Sequence, residues 1–322
     1  MCDLCTLRAG SKAAGDTDED KTLAFAGSIR RRLIHKNKTS SKRARVPDSV
    51  RTREWKAIDN KKKKSRQKIR KPLRDLFERE IQLLVDRLKE KTGQKAVAWA
   101  YVKMASGQKA EDILPLVTDI LLNWTKWFSL TKDTIKEEVE DVADDGFKAG
   151  LDRIGTQGPE FTSSRPPVRT VLDEILEQAA GTQQTFRDVT ARTIQRRLSA
   201  GDDMPAIVRA VAEKTQEQVG HRLDRLVQTA GHGAFEAGQR ESFLQAGIDI
   251  IDWLTQRDPR VRSPNVGDTW DHRDMDRQEV RIQEKFTVTG KGGRQEQLWH
   301  PGDPNGSPGN VIRCRCTITA VE

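Results

Sequence analysis

The stretch Phe243-Leu244-Gln245-Ala246-Gly247-Ile248-Asp249-Ile250-Ile251-Asp252-Trp253-Leu254-Thr255-Gln256 holds the point where the period of the chain changes. Up to Gln245 the apolar residues follow the spacing of a helix face. Gly247 stops that pattern, as glycine does just past a helix end. From Ile248 to Gln256 the pattern moves towards a period of two, the repeat of a strand. The fold class expected from this switch is α+β: a mostly helical body, a small α+β C-terminal module, and a basic, disordered N-terminal arm.

On the N-terminal side of this point, Asp202-Asp203-Met204-Pro205 reads as a helix start, with an acidic cap and a proline in the first turn. The helix it opens runs to Gln245. Val168, Val171, Leu172, Ile175 and Leu176 open an earlier helical stretch, and Thr193 to Leu198 ends a helix before Gly201. Gly158 to Pro167 is a linker by composition. Glu111 to Gly150 is helical, with Ile113, Leu116, Val117, Ile120, Leu121, Trp124 and Phe128 as its apolar positions. Leu73, Leu76, Phe77, Leu84 and Leu88 mark another helix, with Gly93 as its stop. On the C-terminal side, Val280 to Val288 reads as a strand and Gly290 to Gly293 as a turn. Trp299 to Gly309 is a Pro/Gly loop, and Val311 to Val321 is a closing strand. The expected organisation is therefore an arm at 1–71, a helical region at 72–157, a linker at 158–167, a helical lead-in at 168–247 and the C-terminal module at 248–322.

Charge is unevenly spread. The chain has 322 residues, 35% apolar and 33% charged, with a net charge of +9. Arg30 to Lys71 carries 19 Lys and Arg against 3 Asp and Glu, a local +16 that leaves −7 for the rest. No apolar periodicity is visible before Leu73, so this segment is expected to be disordered when free and helical around Trp55 only when bound. A one-signed basic arm is suited to a polyanion. Arg30, Arg31, Arg32, Lys61, Lys62, Lys63 and Lys64 are its candidate contacts to double-stranded DNA, without sequence preference. An acidic protein surface would serve as well. No run approaches the ~18 apolar residues of a membrane span, and the N-terminus is too polar for a signal peptide. The expectation is a protein kept in the cytosol or in a particle assembled there.

The richest constellation lies between Trp253 and Thr319. Asp252-Trp253-Leu254-Thr255 is followed by Asp258-Pro259-Arg260-Val261-Arg262, then by Asp271-His272-Arg273-Asp274. Trp299-His300-Pro301-Gly302-Asp303 comes next, and Cys314-Arg315-Cys316-Thr317 closes the set. This order resembles the phage Mu F-like family of head morphogenesis proteins, which includes the portal-associated minor protein of phage SPP1. Its pattern is a Trp-containing strand, a D-x-R-V-R step, a His followed closely by Asp, a His-Pro loop and a final C-R-C-T. The resemblance covers roughly residues 170 to 320, with Ala234-Phe235-Glu236-Ala237-Gly238 in its helical lead-in. Two features depart from it: Gln228-Thr229-Ala230 stands where an Arg-Thr-Glu step is usual, and the spacer from Arg262 to His272 is longer. The resemblance implies a non-enzymatic minor capsid protein of a tailed phage, located in the virion at the portal vertex. Portal protein and major capsid or scaffold protein would be its partners.

The residues themselves leave choices. Cys314 and Cys316 are i and i+2 on the expected closing strand, so both point to one face. They are either small buried apolar residues or, with His272 and His300 from two loops, the ligands of a closed tetrahedral zinc site with a structural role. Cys2 and Cys5 form a C-x2-C half-site that nothing completes, and read as incidental thiols. Asp258, Arg260 and Arg262 form either a solvated turn with a local ion pair or an interaction point for a neighbouring subunit. The alternative function is an HNH-like or other metal-dependent nuclease opening at Asp271-His272. Its motif is incomplete, since no His follows Asn310.

Overall fold

The computed structural model describes residues 47–106 and 124–321. Arg30, Arg31, Arg32, Cys2, Cys5 and the apolar positions from Ile113 to Leu121 lie outside the described residues. Among the described residues five helices lead to the module: α1 (Asp48–Lys89), α2 (Lys91–Ala105), α3 (Trp124–Arg153), α4 (Pro166–Ser199) and α5 (Met204–Gln245). The module has strands β1 (Ile250–Leu254), β2 (Glu279–Arg281), β3 (Phe286–Thr289), β4 (Gln295–Leu298) and β5 (Thr317–Ala320), with the short helix α6 (Pro308–Val311) before β5. The α+β class expected from the sequence is the one observed. No described helix is long and apolar enough to cross a membrane.

The expected arm is the largest correction. Residues 48–71 are the first half of α1, a helix of 42 residues. Its buried stripe is Arg51, Trp55, Ile58, Lys62, Ser65, Ile69, Leu73, Leu76 and Phe77, a sequence of three- and four-residue steps up to Leu76, with Phe77 beside it, that forms one helix face. Three of these nine are polar, which hid the period. Each is matched inside the fold. Arg51 pairs with Asp252 at 2.5 Å, Ser65 donates to Asp145 at 2.7 Å, and Lys62 pairs with Glu236. Lys62 is therefore not a DNA contact. Lys61, Lys63 and Lys64 do face outwards, although Lys61 and Lys63 have carboxylate partners in Asp152 and Asp59. Gly93 is no helix stop either. It lies inside α2, where the helix turns back on α1.

The composition linker at 158–167 joins α3 to α4 within a single helical core. That core runs from Ile58 and Leu73 through Val139, Leu172 and Ile194 to Phe235. Asp203 caps α5 as expected, accepting from the Ala206 N–H at 2.9 Å, and Gly247 beyond its end has φ +72°. Along α5 every residue from Ala230 to Gln239 is buried, because α1, α3, α4 and the module surround it. Small residues make that possible. A Cβ built on Gly238 would lie 1.8 Å from the Ala143 carbonyl oxygen of α3. Gly238→Ala should force the two backbones apart and cost about 1–3 kcal/mol. Urea unfolding checks this, and a loss under ~0.5 kcal/mol would contradict the close crossing.

The module contains a three-stranded antiparallel sheet in the order β2-β1-β5 and a β3-β4 hairpin. The expected single strand from Val280 to Val288 is split between the two sheets, with Gly290 to Gly293 forming the hairpin turn. In β1 alternate residues serve different sides. Ile251 and Trp253 enter the module core with Phe286, Val288, Leu298 and Ile318, while Asp252 turns to Arg51 of α1. The free edge of β5 is covered by side chains: Gln239 and Arg153 donate to the Ile318 carbonyl at 2.9 and 3.0 Å, and Glu236 accepts its N–H at 3.1 Å. An edge satisfied in this way cannot recruit another strand.

Burial pushes the Asp252 carboxyl up to about 6, against the pull of Arg51. Between roughly pH 4 and 6 the folded chain then holds a proton that the unfolded chain releases. At this site stability falls as pH rises through that window, by at most about 3 kcal/mol. Asp252→Asn should flatten that part of the stability–pH curve, measured by urea unfolding at stepped pH. An unchanged slope would refute the assignment.

Candidate metal centre

His272, Cys314 and Cys316 come together at the centre of the module. Their ligand atoms all lie within 4.8 Å of one another, and all three residues are buried. His272 Nδ1 is 3.5 Å from Cys314 Sγ and 3.6 Å from Cys316 Sγ. Zn–S bonds of about 2.3 Å and Zn–N bonds of about 2.05 Å at a tetrahedral angle place N and S about 3.6 Å apart. The spacing of these donors therefore suits one shared ion.

Each donor is positioned by an identifiable contact. The loop carrying His272 is anchored where its backbone N–H donates to the Arg262 carbonyl at 3.0 Å, and Asp271 accepts from the Arg273 and Asp274 N–H groups, both at 3.1 Å. The far side of the ring is fixed by Asn310. Its side-chain amide donates to Glu296 at 2.8 Å, which turns its carbonyl oxygen towards His272 Nε2. Nε2 then carries the proton, and the lone pair of Nδ1 faces the two sulfurs. A metal-bound imidazole needs this tautomer and this outer partner. Trp253 packs edge-on to the same ring at 5.5 Å.

The two cysteines lie on the extended approach to β5, not on the expected closing strand, which begins only at Thr317. Arg313, with φ +56°, bends the chain out of α6 into this approach. Helix α1 holds the approach from behind: Trp55 Nε1 donates to the Arg315 carbonyl at 2.7 Å and Lys62 Nζ to the Cys316 carbonyl at 3.1 Å. The basic segment thus secures the backbone that bears the thiols. Burial alone would raise the Cys314 thiol, but hydrogen bonding to Cys316 and the His272 and His232 rings hold it well below its usual range. Burial and the neighbouring Cys314 push Cys316 well above.

His300 is not in this group. It is buried, but its Nδ1 lies 3.1 Å from the Pro301 carbonyl, and the charged groups acting on it are Asp303, Glu236 and Arg240. Asp303 shapes its loop, accepting from the Trp299 N–H at 2.7 Å and the Asn305 N–H at 3.0 Å. The Asp258-Arg260 step is a local ion pair at 2.6 Å with an exposed arginine. Arg262 points inwards and donates to the Ile312 carbonyl, so it ties the histidine loop to the cysteine segment of the same chain. His232 and Glu296 escaped the sequence reading of the site because they carry no motif, while Lys62 was read as a DNA contact and Asn310 only within the nuclease alternative. Only the density of glycine and alanine around His232 signals a helix packed on every side.

Comparison with family models, curated proteins and solved structures finds no match to this chain.

Proposed function

We propose that the chain is a structural head protein of a tailed phage, a minor capsid component at the portal vertex, with a C-terminal module stapled by zinc. The observation that carries this reading is the meeting of separate motif pieces in one closed centre. Trp253, His272, Cys314 and Cys316 are each 5% exposed or less. Arg262 and α1 clamp the segments that bear the donors. Two thiolates and imidazole nitrogen suit zinc better than hard cations, which prefer oxygen. A donor set enclosed by protein serves stability, since catalytic zinc keeps an open position for water or substrate.

The nuclease alternative gains nothing from this arrangement. A nuclease histidine must offer a free nitrogen to water, and both ring nitrogens of His272 are engaged. Contact with packaged DNA rests on outward-facing cations such as Lys64 and on the Arg30 to Arg32 run of the sequence. A cavity of about 540 Å3, lined in part by Lys63, Arg66, Arg70, Arg313 and Arg315, offers phosphate a second basic surface.

Mass spectrometry of purified, DNA-filled particles from the phage or prophage that encodes the chain tests the proposal. The expected result is the protein at low copy in the particles, together with portal protein. Its absence would overturn the reading. Nicking of DNA in Mg2+ or Mn2+ that disappears in His272→Ala would favour the nuclease instead.

A further inference from the structure

We infer that His232 of helix α5 supplies the fourth ligand to the metal, so that the ion ties the helical body to the terminal strand. This rests on the zinc reading above. His272, Cys314 and Cys316 leave one vertex of a tetrahedron to fill. His232 is 2% exposed and lines one cavity with Cys314, beside the three-donor cluster. Its Nε2 is fully buried and has no hydrogen-bond partner. An enclosed, unpaired imidazole nitrogen costs about 1–3 kcal/mol, and a metal bond removes that cost.

The ring is also held in place. Gly302, with φ +79°, passes so close that a Cβ there would lie 2.4 Å from His232 Cδ2. The His-Pro-Gly loop therefore acts as a lid over His232, a role for that motif distinct from ligation by His300. The neutral imidazole is the form that binds metal. Two thiolates, two neutral imidazoles and Zn2+ sum to zero charge, which suits a buried site.

The test uses the full chain purified without chelator, with zinc content measured and cobalt(II) exchanged in as a visible probe. Wild-type protein, His232→Ala, His232→Cys and His300→Ala are compared, with circular dichroism to confirm the helical fold. The expected wild-type result is one ion per chain and the strong visible bands of four-coordinate cobalt. His232→Ala should weaken binding, measured by competition with a chromophoric chelator, by more than about 100-fold, beyond the usual effect of an outer-shell change. His232→Cys should keep the ion and raise the sulfur-to-cobalt charge-transfer band by about half, as two sulfurs become three. His300→Ala should leave affinity and spectrum unchanged. The inference alone falls if His232→Cys leaves the charge-transfer band at its wild-type intensity, or if His300→Ala, and not His232→Ala, releases the ion. A wild-type chain that binds neither zinc nor cobalt overturns the zinc reading and this inference with it.

Discussion

Glu236→Ala is expected to lower the unfolding free energy by about 3–5 kcal/mol, the cost of leaving a buried charge without its partner. Lys62 and Glu236 are 3% and 0% exposed, so water cannot replace the lost carboxylate. Glu236 also accepts the Ile318 N–H at 3.1 Å, so truncation orphans a second donor at the edge of β5. Two further variants separate the contributions. Glu236→Gln keeps an acceptor for Ile318 and removes only the charge. Lys62→Met with Glu236→Ala removes both charges and should recover most of the loss, apart from about 1–3 kcal/mol for the orphaned N–H. Urea unfolding of wild type, Glu236→Ala, Lys62→Met and the double variant gives the cycle, with Glu236→Gln measured beside it. A double variant no more stable than Glu236→Ala would show that the pair is not the source of the cost.

The same pair explains why the helical nature of residues 48–71 was hard to read. Scanning for apolar period finds Leu73, Leu76 and Phe77 and stops at the Lys61–Lys64 run, because Lys62 and Ser65 occupy the positions where apolar residues would continue the stripe. Their burial depends on Glu236 and Asp145, which are distant in sequence. Local composition carries no trace of such partners. Long-range pairing therefore converted an apparent polyanion-binding arm into a strut whose inner cations serve the fold. The outer cations, Lys61, Lys63 and Lys64, stay at the surface, with Lys61 and Lys63 paired to Asp152 and Asp59.

The module was more legible, for a physical reason. Strand β1 and helix α5 announce themselves through period and through Gly247, and these depend on neighbours within a few residues. The cysteines and His272 could be nominated because few other residue types bind soft metals. His300 was nominated on the same chemistry, yet side-chain direction is set by its loop, where Asp303 and the Pro301 carbonyl orient it. His232 had the reverse problem: it lies in the middle of a helix, where a lone histidine reads as ordinary packing. Which of several histidines reaches a centre is decided by tertiary packing, here by the crossing of α5 beneath the loop at Gly302.

If zinc staples the module, its removal should produce the largest loss of all, and one confined to part of the molecule. The module core around Trp253, Phe286, Cys314, Cys316 and Ile318 is separate from the helical core that ends at Phe235. Chelation should therefore abolish the near-ultraviolet signal of Trp253, which packs on His272, while most of the helical far-ultraviolet signal survives. Structural zinc contributes on the order of 10 kcal/mol of binding free energy in small domains near pH 7. Each tenfold rise in free zinc above the dissociation constant should add about 1.4 kcal/mol of apparent stability. Both cysteines must bind as thiolates, so affinity should fall as pH falls. Cys314→Ser should behave like the chelated protein and ignore added zinc. Equal unfolding midpoints for wild type with and without free zinc would show that buried apolar packing holds the module, the bland alternative for its two cysteines.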